Sequence, residues 1–239
     1  VKAVKAVTLL VLCLLAFASC GIEEFVYLVP VDYREHSPSD DPTYNYFAFR
    51  TTDAKNQDEA GDYFKGFEIY YRIYNNESVR SSDAGAINNY NDDDPTIAYN
   101  FLKNTKKYVR LLTSVRGTTT PLIPAALANR TVNIRLIRYT DILPSFILAD
   151  MDGNVLDDYG RPLRSVSENL GSDPTLFEFD EIGEGDDDVT WSTWTDENDK
   201  QLYVQAYVMA YGFDASYKQL YSELFYLGYI TLTKDDKYE

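Results

Sequence analysis

The chain is predicted to be all-β, an antiparallel β-sandwich, on three observations. Apolar and polar residues alternate with a period of two in the longest patterned runs. Those runs are filled by tyrosine, valine, isoleucine and phenylalanine, which suit a pleated, half-buried surface. Between them lie short segments rich in glycine, proline, asparagine and aspartate, the residues of turns.

Taken in order, residues 25–31 and 44–50 are the first expected strands. From Phe67 to Tyr74 one face reads Phe67, Ile69, Tyr71 and Ile73, and the other Glu68, Tyr70, Arg72 and Tyr74. Residues 108–112 follow. In 131–139, Val132, Ile134 and Leu136 lie opposite Asn133 and Arg135, and 146–149 and 176–179 come next. In 202–211, Leu202, Val204, Ala206, Val208 and Ala210 share one face, and Tyr203, Gln205, Tyr207, Met209 and Tyr211 the other. Residues 224–232 are last. One short helix is expected, capped by Asp94, with Pro95 in its first turn and an apolar stripe of Ile97, Phe101 and Leu102. Turn-rich stretches fall at 36–42, 75–95, 117–121, 150–162 and 183–188, with no fixed repeat and no long linker.

The first twenty residues carry an address. Lys2 and Lys5 precede the apolar run AVTLLVLCLLAFA at 6–18, which is shorter than the roughly 18 residues of a membrane span and fits a secretory signal. Val1 in place of methionine fits a non-ATG start codon or a slight truncation. Phe17-Ala18-Ser19-Cys20-Gly21 resembles the lipobox of bacterial lipoproteins, with Phe17 at the usual leucine position, as in the looser lipoboxes of spirochaetal lipoproteins. The resemblance implies a signal peptide at 1–19, an acylated Cys20 and a short tether at 20–24. It also implies export to the cell envelope and membrane anchoring on the periplasmic or outer-surface side. The plainer alternative is an ordinary signal peptide cut at Ala18 or Ser19. Removal of 1–19 would take two lysines and no acid, so 22 basic residues become 20 and the net charge of −16 becomes −18. Cys13 would leave too, so no disulfide is expected.

FKGFEIYYRIYNN at 64–76 resembles the central strand of a fibronectin type III domain. LYVQAYVMAYGFD at 202–214, with its Ala210-Tyr211-Gly212 corner, and LYSELFYLGYITL at 220–232 resemble its last two strands. The resemblance implies a single immunoglobulin-like sandwich over 25–239. Since such a module takes about 100 residues, about 75–200 would be long insertions or extra strands. The combination of features resembles treponemal and related spirochaetal lipoproteins. A closed lipocalin-like barrel is the architectural alternative.

The charge excludes a nucleic-acid partner, because phosphate binding needs a basic surface. Two cysteines and one histidine exclude thiolate and multi-histidine metal centres. No G-x-S-x-G, H-E-x-x-H, P-loop or G-x-G-x-x-G motif occurs, and His36 sits in a polar stretch read as a solvated loop. No enzyme is therefore expected. A glycosidase-like hydrolase using two acids about 5–10 Å apart is the alternative.

Asp150, Asp152, Asn154 and Asp157 place oxygen ligands around Gly153, so calcium is the one cofactor considered and a calcium-dependent structural protein a third reading. The glycine is misplaced for an EF-hand, and a hairpin turn at Asp152-Gly153 accounts for the pattern. The acidic 181–188 loop reads as solvated. Tyrosine is abundant, 21 of 239 residues, and suits a contact surface. Tyr70, Tyr74, Tyr203, Tyr207 and Tyr211 are the candidate platform. The plainer reading buries them beneath the insertions. Trp191 and Trp194 form a candidate carbohydrate-stacking pair, although their spacing in a strand would put them on opposite faces. The sum is an anchored binding module with a protein or carbohydrate ligand.

Overall fold

The computed structural model describes residues 26–39, 41–91, 94–166, 175–194 and 200–234. The signal segment 1–19, Cys20, the 20–24 tether and Phe25 lie outside the described residues. The protein is mostly antiparallel β-sheet, with 36% strand and 22% helix, and one sheet is curled into a half-barrel.

Sheet 1 runs in the order β1 (Tyr33–His36), β2 (Phe47–Arg50), β4 (Thr131–Arg135), β5 (Ser145–Ala149) and β6 (Val155–Asp158). Sheet 2 is built on β3 (Phe64–Tyr74) and β7 (Gln201–Phe213), whose antiparallel register sets Ile73 opposite Val204 and Ile69 opposite Val208. The far edge of β7 pairs with β9 (Phe225–Thr233) and then β8 (Gln219–Tyr221). The far edge of β3 carries three two-residue pieces: Ile123–Pro124, Val109–Arg110 and the parallel Val189–Thr190.

Alternation delivers the core as expected. Phe47, Phe49, Val132, Ile134, Phe146 and Leu148 of sheet 1 pack against Phe67, Ile69, Tyr71, Ile73, Val204, Val208 and Ile230 of sheet 2. All are almost fully buried, and each such side chain contributes about 1.5–3 kcal/mol of burial. The fold class is thus all-β, consistent with a sandwich.

The 75–200 span contributes to the sandwich itself. It supplies β4, β5 and β6, and Val132, Ile134, Phe146 and Leu148 from it lie at the centre of the core. Residues 26–32 form no strand, although Leu28 and Val31 are buried. There the Asn56 side chain replaces a ladder, accepting from the Val29 amide at 2.8 Å and donating to its carbonyl at 2.9 Å. Residues 176–179 are likewise no strand, yet Phe177 packs edge-on against Tyr71.

Among the described residues three α-helices stand where one was expected: α1 (Asp53–Ala60), α2 (Glu77–Asn91) and α3 (Pro95–Asn100). Asp94 caps α3 as expected, accepting from the Thr96 and Ile97 amides. The buried stripe differs, since Ile97 is half exposed and Ala98, Tyr99 and Leu102 face inward. The covered surface is rich in tyrosine, so amphipathic Tyr99 suits it better than Ile97 does. Helix α3 continues as a wide π-turn, Phe101–Thr105. Together α2, α3 and this turn cover the outer face of sheet 2 and create a second cluster beside the sandwich core. No helix among the described residues is long and apolar enough to cross a membrane.

Candidate functional site

The second cluster is where the tyrosines go. On β3, Tyr70 and Tyr74 point away from the sandwich core, and on β7 so do Tyr203, Tyr207 and Tyr211. The helical cover descends on them. Tyr74 and Tyr207 are fully buried, Tyr70 and Tyr211 nearly so, and Tyr203 is half-buried. The five therefore do not form one open platform, because α2 and α3 occupy its middle.

Beneath α2 the layer is held by a polar network. Tyr74 Oη donates to Asp83, which also pairs with Lys106. Gln205 donates to Tyr108 and accepts from Arg80, whose guanidinium lies 3.8 Å from the Tyr229 ring centroid. Tyr207 Oη has no partner.

Beyond α3 the cover stops, and a cleft of about 400 Å³ opens at the edge of the layer. Its volume is at the lower end of the roughly 300–1,000 Å³ typical of small-molecule sites. One wall is aromatic: Tyr99 and Tyr221 stack with centroids 3.7 Å apart, and Tyr211 lies 5.7 Å from Tyr221. Tyr70 meets Tyr99 edge-on, their hydroxyls 3.2 Å apart. The lining also includes Glu68, Val109, Arg110, Thr120 and Ser165, and Lys103 from the π-turn.

Glu68 is the unusual group. It is only 2% exposed, and its Oε2 accepts from Arg110 Nε. Its Oε1 is closed off from solvent and meets no side-chain partner, and the Leu122 backbone amide hydrogen-bonds the carboxyl. Burial pushes its pKa up to about 7, against the opposing pull of Arg110. Arg110 itself is committed to the protein, since its other nitrogens donate to the carbonyls of Thr118 and Thr119. Lys103 donates to Tyr99 Oη at 3.2 Å. Burial likewise raises the Tyr70, Tyr211 and Tyr221 phenols, so these stay protonated donors at neutral pH.

Of the sequence candidates, Tyr70 and Tyr211 reach this cleft, whereas Tyr74, Tyr203 and Tyr207 do not line it. Glu68, Tyr99, Lys103, Arg110 and Tyr221 were missed. The available signal was a lone carboxylate inside the alternating β3 run.

Trp191 and Trp194 meet edge to face, centroids 5.4 Å apart, and pack against the sandwich core. The expectation of opposite faces is corrected, because strand pairing ends at Thr190 and strand alternation does not extend over 191–194. Neither lines the cleft.

Asp150, Asp152 and Asn154 form the β5–β6 turn. Asp150 accepts from the amides of Asp152 and Asn154 and from the Asn154 side chain, which holds its carboxyl below the usual range. Gly153 has φ +87°, as the turn requires. Asp157 lies beyond it in β6. Among the described residues no group of three or more His, Cys, Asp or Glu side chains is placed to hold a metal. The 181–188 loop is not simply solvated. Asp188 is fully buried, bonded by Arg164 and by Tyr71 Oη, and Arg164 also reaches Asp186. His36 ends β1 rather than lying in a loop, its Nε2 2.6 Å from the Tyr46 carbonyl oxygen.

Among the described residues that line the tyrosine cleft, Glu68 is the one carboxylate. Compared with known proteins, the chain matches no family model, no curated protein and no solved structure.

Proposed function

We propose that the chain is a cell-envelope lipoprotein, anchored by acylated Cys20, whose β-rich domain acts as a binding module. The cleft at the edge of the tyrosine layer is its contact site. The observation that carries this reading is the concentration of Tyr70, Tyr99, Tyr211 and Tyr221 around a buried Glu68. Such a concave aromatic wall with few convergent polar groups is what small-ligand sites use. The side-by-side order of β3, β7 and β9 also supports the finer fibronectin-type reading, since these segments carry that resemblance. Two acyl chains would make anchoring stable where one is marginal. The net charge of −18 expected after processing would hold the domain away from anionic headgroups.

The test is retention of small molecules from an envelope extract, identified by mass spectrometry. The full chain is expected to retain at least one compound that Tyr221→Ala releases; identical retention by both would overturn the cleft reading. The anchor is tested separately by detergent-phase partitioning. Cys20→Ala is expected to move to the aqueous phase, and equal partitioning refutes lipidation.

A further inference from the structure

We propose that the cleft takes a small organic acid, a carboxylate carried on a flat ring, with Lys103 as its counter-charge and the Tyr99–Tyr221–Tyr211 wall as the seat of the ring. This rests on the binding-module reading and names the ligand class of the same site.

The charge of the lining decides the charge of the ligand. Its described residues hold two cations, Lys103 and Arg110, and one carboxylate, Glu68. Arg110 pairs with buried Glu68, and its other nitrogens donate to the Thr118 and Thr119 carbonyls, so that pair is closed on itself. Lys103 is exposed, and its ammonium donates to the neutral Tyr99 hydroxyl at 3.2 Å. Among the described residues no carboxylate pairs with it. An ammonium has three donors, so two remain for a ligand. The uncompensated charge of the cleft is therefore positive, although the chain carries −16. The other acids do not line the cleft, and their field is largely screened beyond about 8 Å at physiological salt, whereas Lys103 acts at contact.

The uncharged groups agree. Tyr211 Oη accepts from Gln219 Nε2, which leaves its own proton to donate. Gln219 Oε1 is occupied by the Tyr221 hydroxyl, so it offers a ligand little as an acceptor. Thr120 and Ser165 add hydroxyls that turn to meet an acceptor. A carboxylate, which only accepts, matches this donor-rich lining. The wall decides the rest of the ligand. Tyr99 and Tyr221 stack with centroids 3.7 Å apart, and Tyr211 continues their surface at 5.7 Å, so a flat ring packs against them. Tyr99 joins the two requirements, because its ring belongs to the wall and its hydroxyl holds Lys103. Ring site and anion site are therefore adjacent. The cleft volume of about 400 Å³ suits an acid of one or two rings rather than a long chain or a folded partner.

The probes form a charge series on one ring: phenylacetate, neutral phenylacetamide and cationic phenethylamine, with acetate as the anion that lacks a ring. Each is titrated into the full-length chain, and the Tyr99, Tyr211 and Tyr221 ring resonances are followed by NMR, a readout that does not depend on any variant folding. Phenylacetate is expected to shift those rings and to bind about three- to fivefold more tightly than phenylacetamide, the scale of one partly screened ion pair. Acetate is expected to bind more weakly than phenylacetate. Lys103→Met should abolish the margin between acid and amide, Lys103→Arg should keep it, and raising sodium chloride to about 0.3 M should narrow it. If the amide or the amine shifts the rings as strongly as the acid, or if Lys103→Met leaves the margin intact, the cleft is a binding site but the acid assignment is overturned. Acetate binding as tightly as phenylacetate overturns the ring seat. If no probe moves the rings, the acid assignment falls as well, and the extract-retention experiment with Tyr221→Ala then decides the cleft reading separately.

Discussion

Tyr207 and Glu68 lie in the same tyrosine layer, and each buries a polar atom that meets no side-chain partner. For Tyr207 the orphan is a phenol oxygen beneath α2, fully buried and surrounded by Tyr108, Tyr226 and Arg80. Removing an unsatisfied buried group relieves its desolvation and deletes no bond, so Tyr207→Phe is expected to leave stability unchanged or raise it by about 1 kcal/mol. Chemical denaturation checks this, and a loss above about 1 kcal/mol would mean that the hydroxyl has a partner. For Glu68 the consequence is a pH dependence. Its folded pKa of about 7 lies above the ordinary 4.5, so between those values the folded state holds a proton that the unfolded chain has released. Stability from this group is therefore full below pH 4.5 and falls as pH rises to about 7, by on the order of 3 kcal/mol. Glu68→Gln is expected to lose that slope, so the gap in unfolding free energy between wild type and variant should change between pH 5 and pH 8. Parallel curves across that range would contradict it.

At the scale of elements, two glycines with opposite surroundings make a paired test. Gly66 in β3 has φ +140°, and a Cβ there would lie 2.0 Å from the Ile123 carbonyl oxygen. That close approach is what lets Ile123–Pro124 pair with β3. Gly66→Ala is expected to cost about 2 kcal/mol or more. Gly85 lies in α2 with nothing within 4 Å of an added Cβ, so Gly85→Ala is expected to stabilise the protein by about 0.5–1 kcal/mol. Thermal melts of the two variants should move in opposite directions, and a shared direction would refute the backbone argument. The same contrast explains what was legible in the sequence. β3, β7 and β9 were readable because a period of two survives wherever one face meets the sandwich core. Helix α2 was not, because its serines, asparagines and glycine read as turn residues and only Arg80 and Ile87 are buried. Its stability comes from packing on the tyrosine layer, which no local pattern reports. The cleft was half legible. Tyr70 and Tyr211 stood out on strand faces, but Arg110, Lys103 and Tyr221 reach it from segments that only the sheet topology brings together.

Over the whole molecule, 38 acidic residues against 22 basic ones set a field that local contacts only partly answer. Several basic groups are committed to buried or half-buried partners: Arg164 to Asp186 and Asp188, Arg130 to Asp53, Arg110 to Glu68, Lys106 to Asp83. The remaining acids crowd exposed turns such as Asp150–Asp158 and the surface of α1, and they repel one another across the domain. Self-repulsion of this kind destabilises the compact state. Salt acts differently on the two sets. Raising ionic strength from about 0.01 M to about 0.15 M shortens the screening length from about 30 Å to about 8 Å, which removes repulsion between distant surface charges. The buried pairs are screened much less, and the exposed pairs Arg50–Glu35 and Lys55–Asp32 are worth at most about 1 kcal/mol each. Repulsion should therefore lose more than attraction does. The Tm at pH 7.5 is expected to rise by a few degrees over that range in sodium chloride, where about 1 kcal/mol corresponds to about 2–4 °C for a chain of this size. Sodium chloride is the right salt, because sulfate would stabilise burial by exclusion and mask the effect. A flat or falling Tm would mean that the exposed ion pairs outweigh the excess acid, and that the net charge bears on solubility and membrane distance but not on folding.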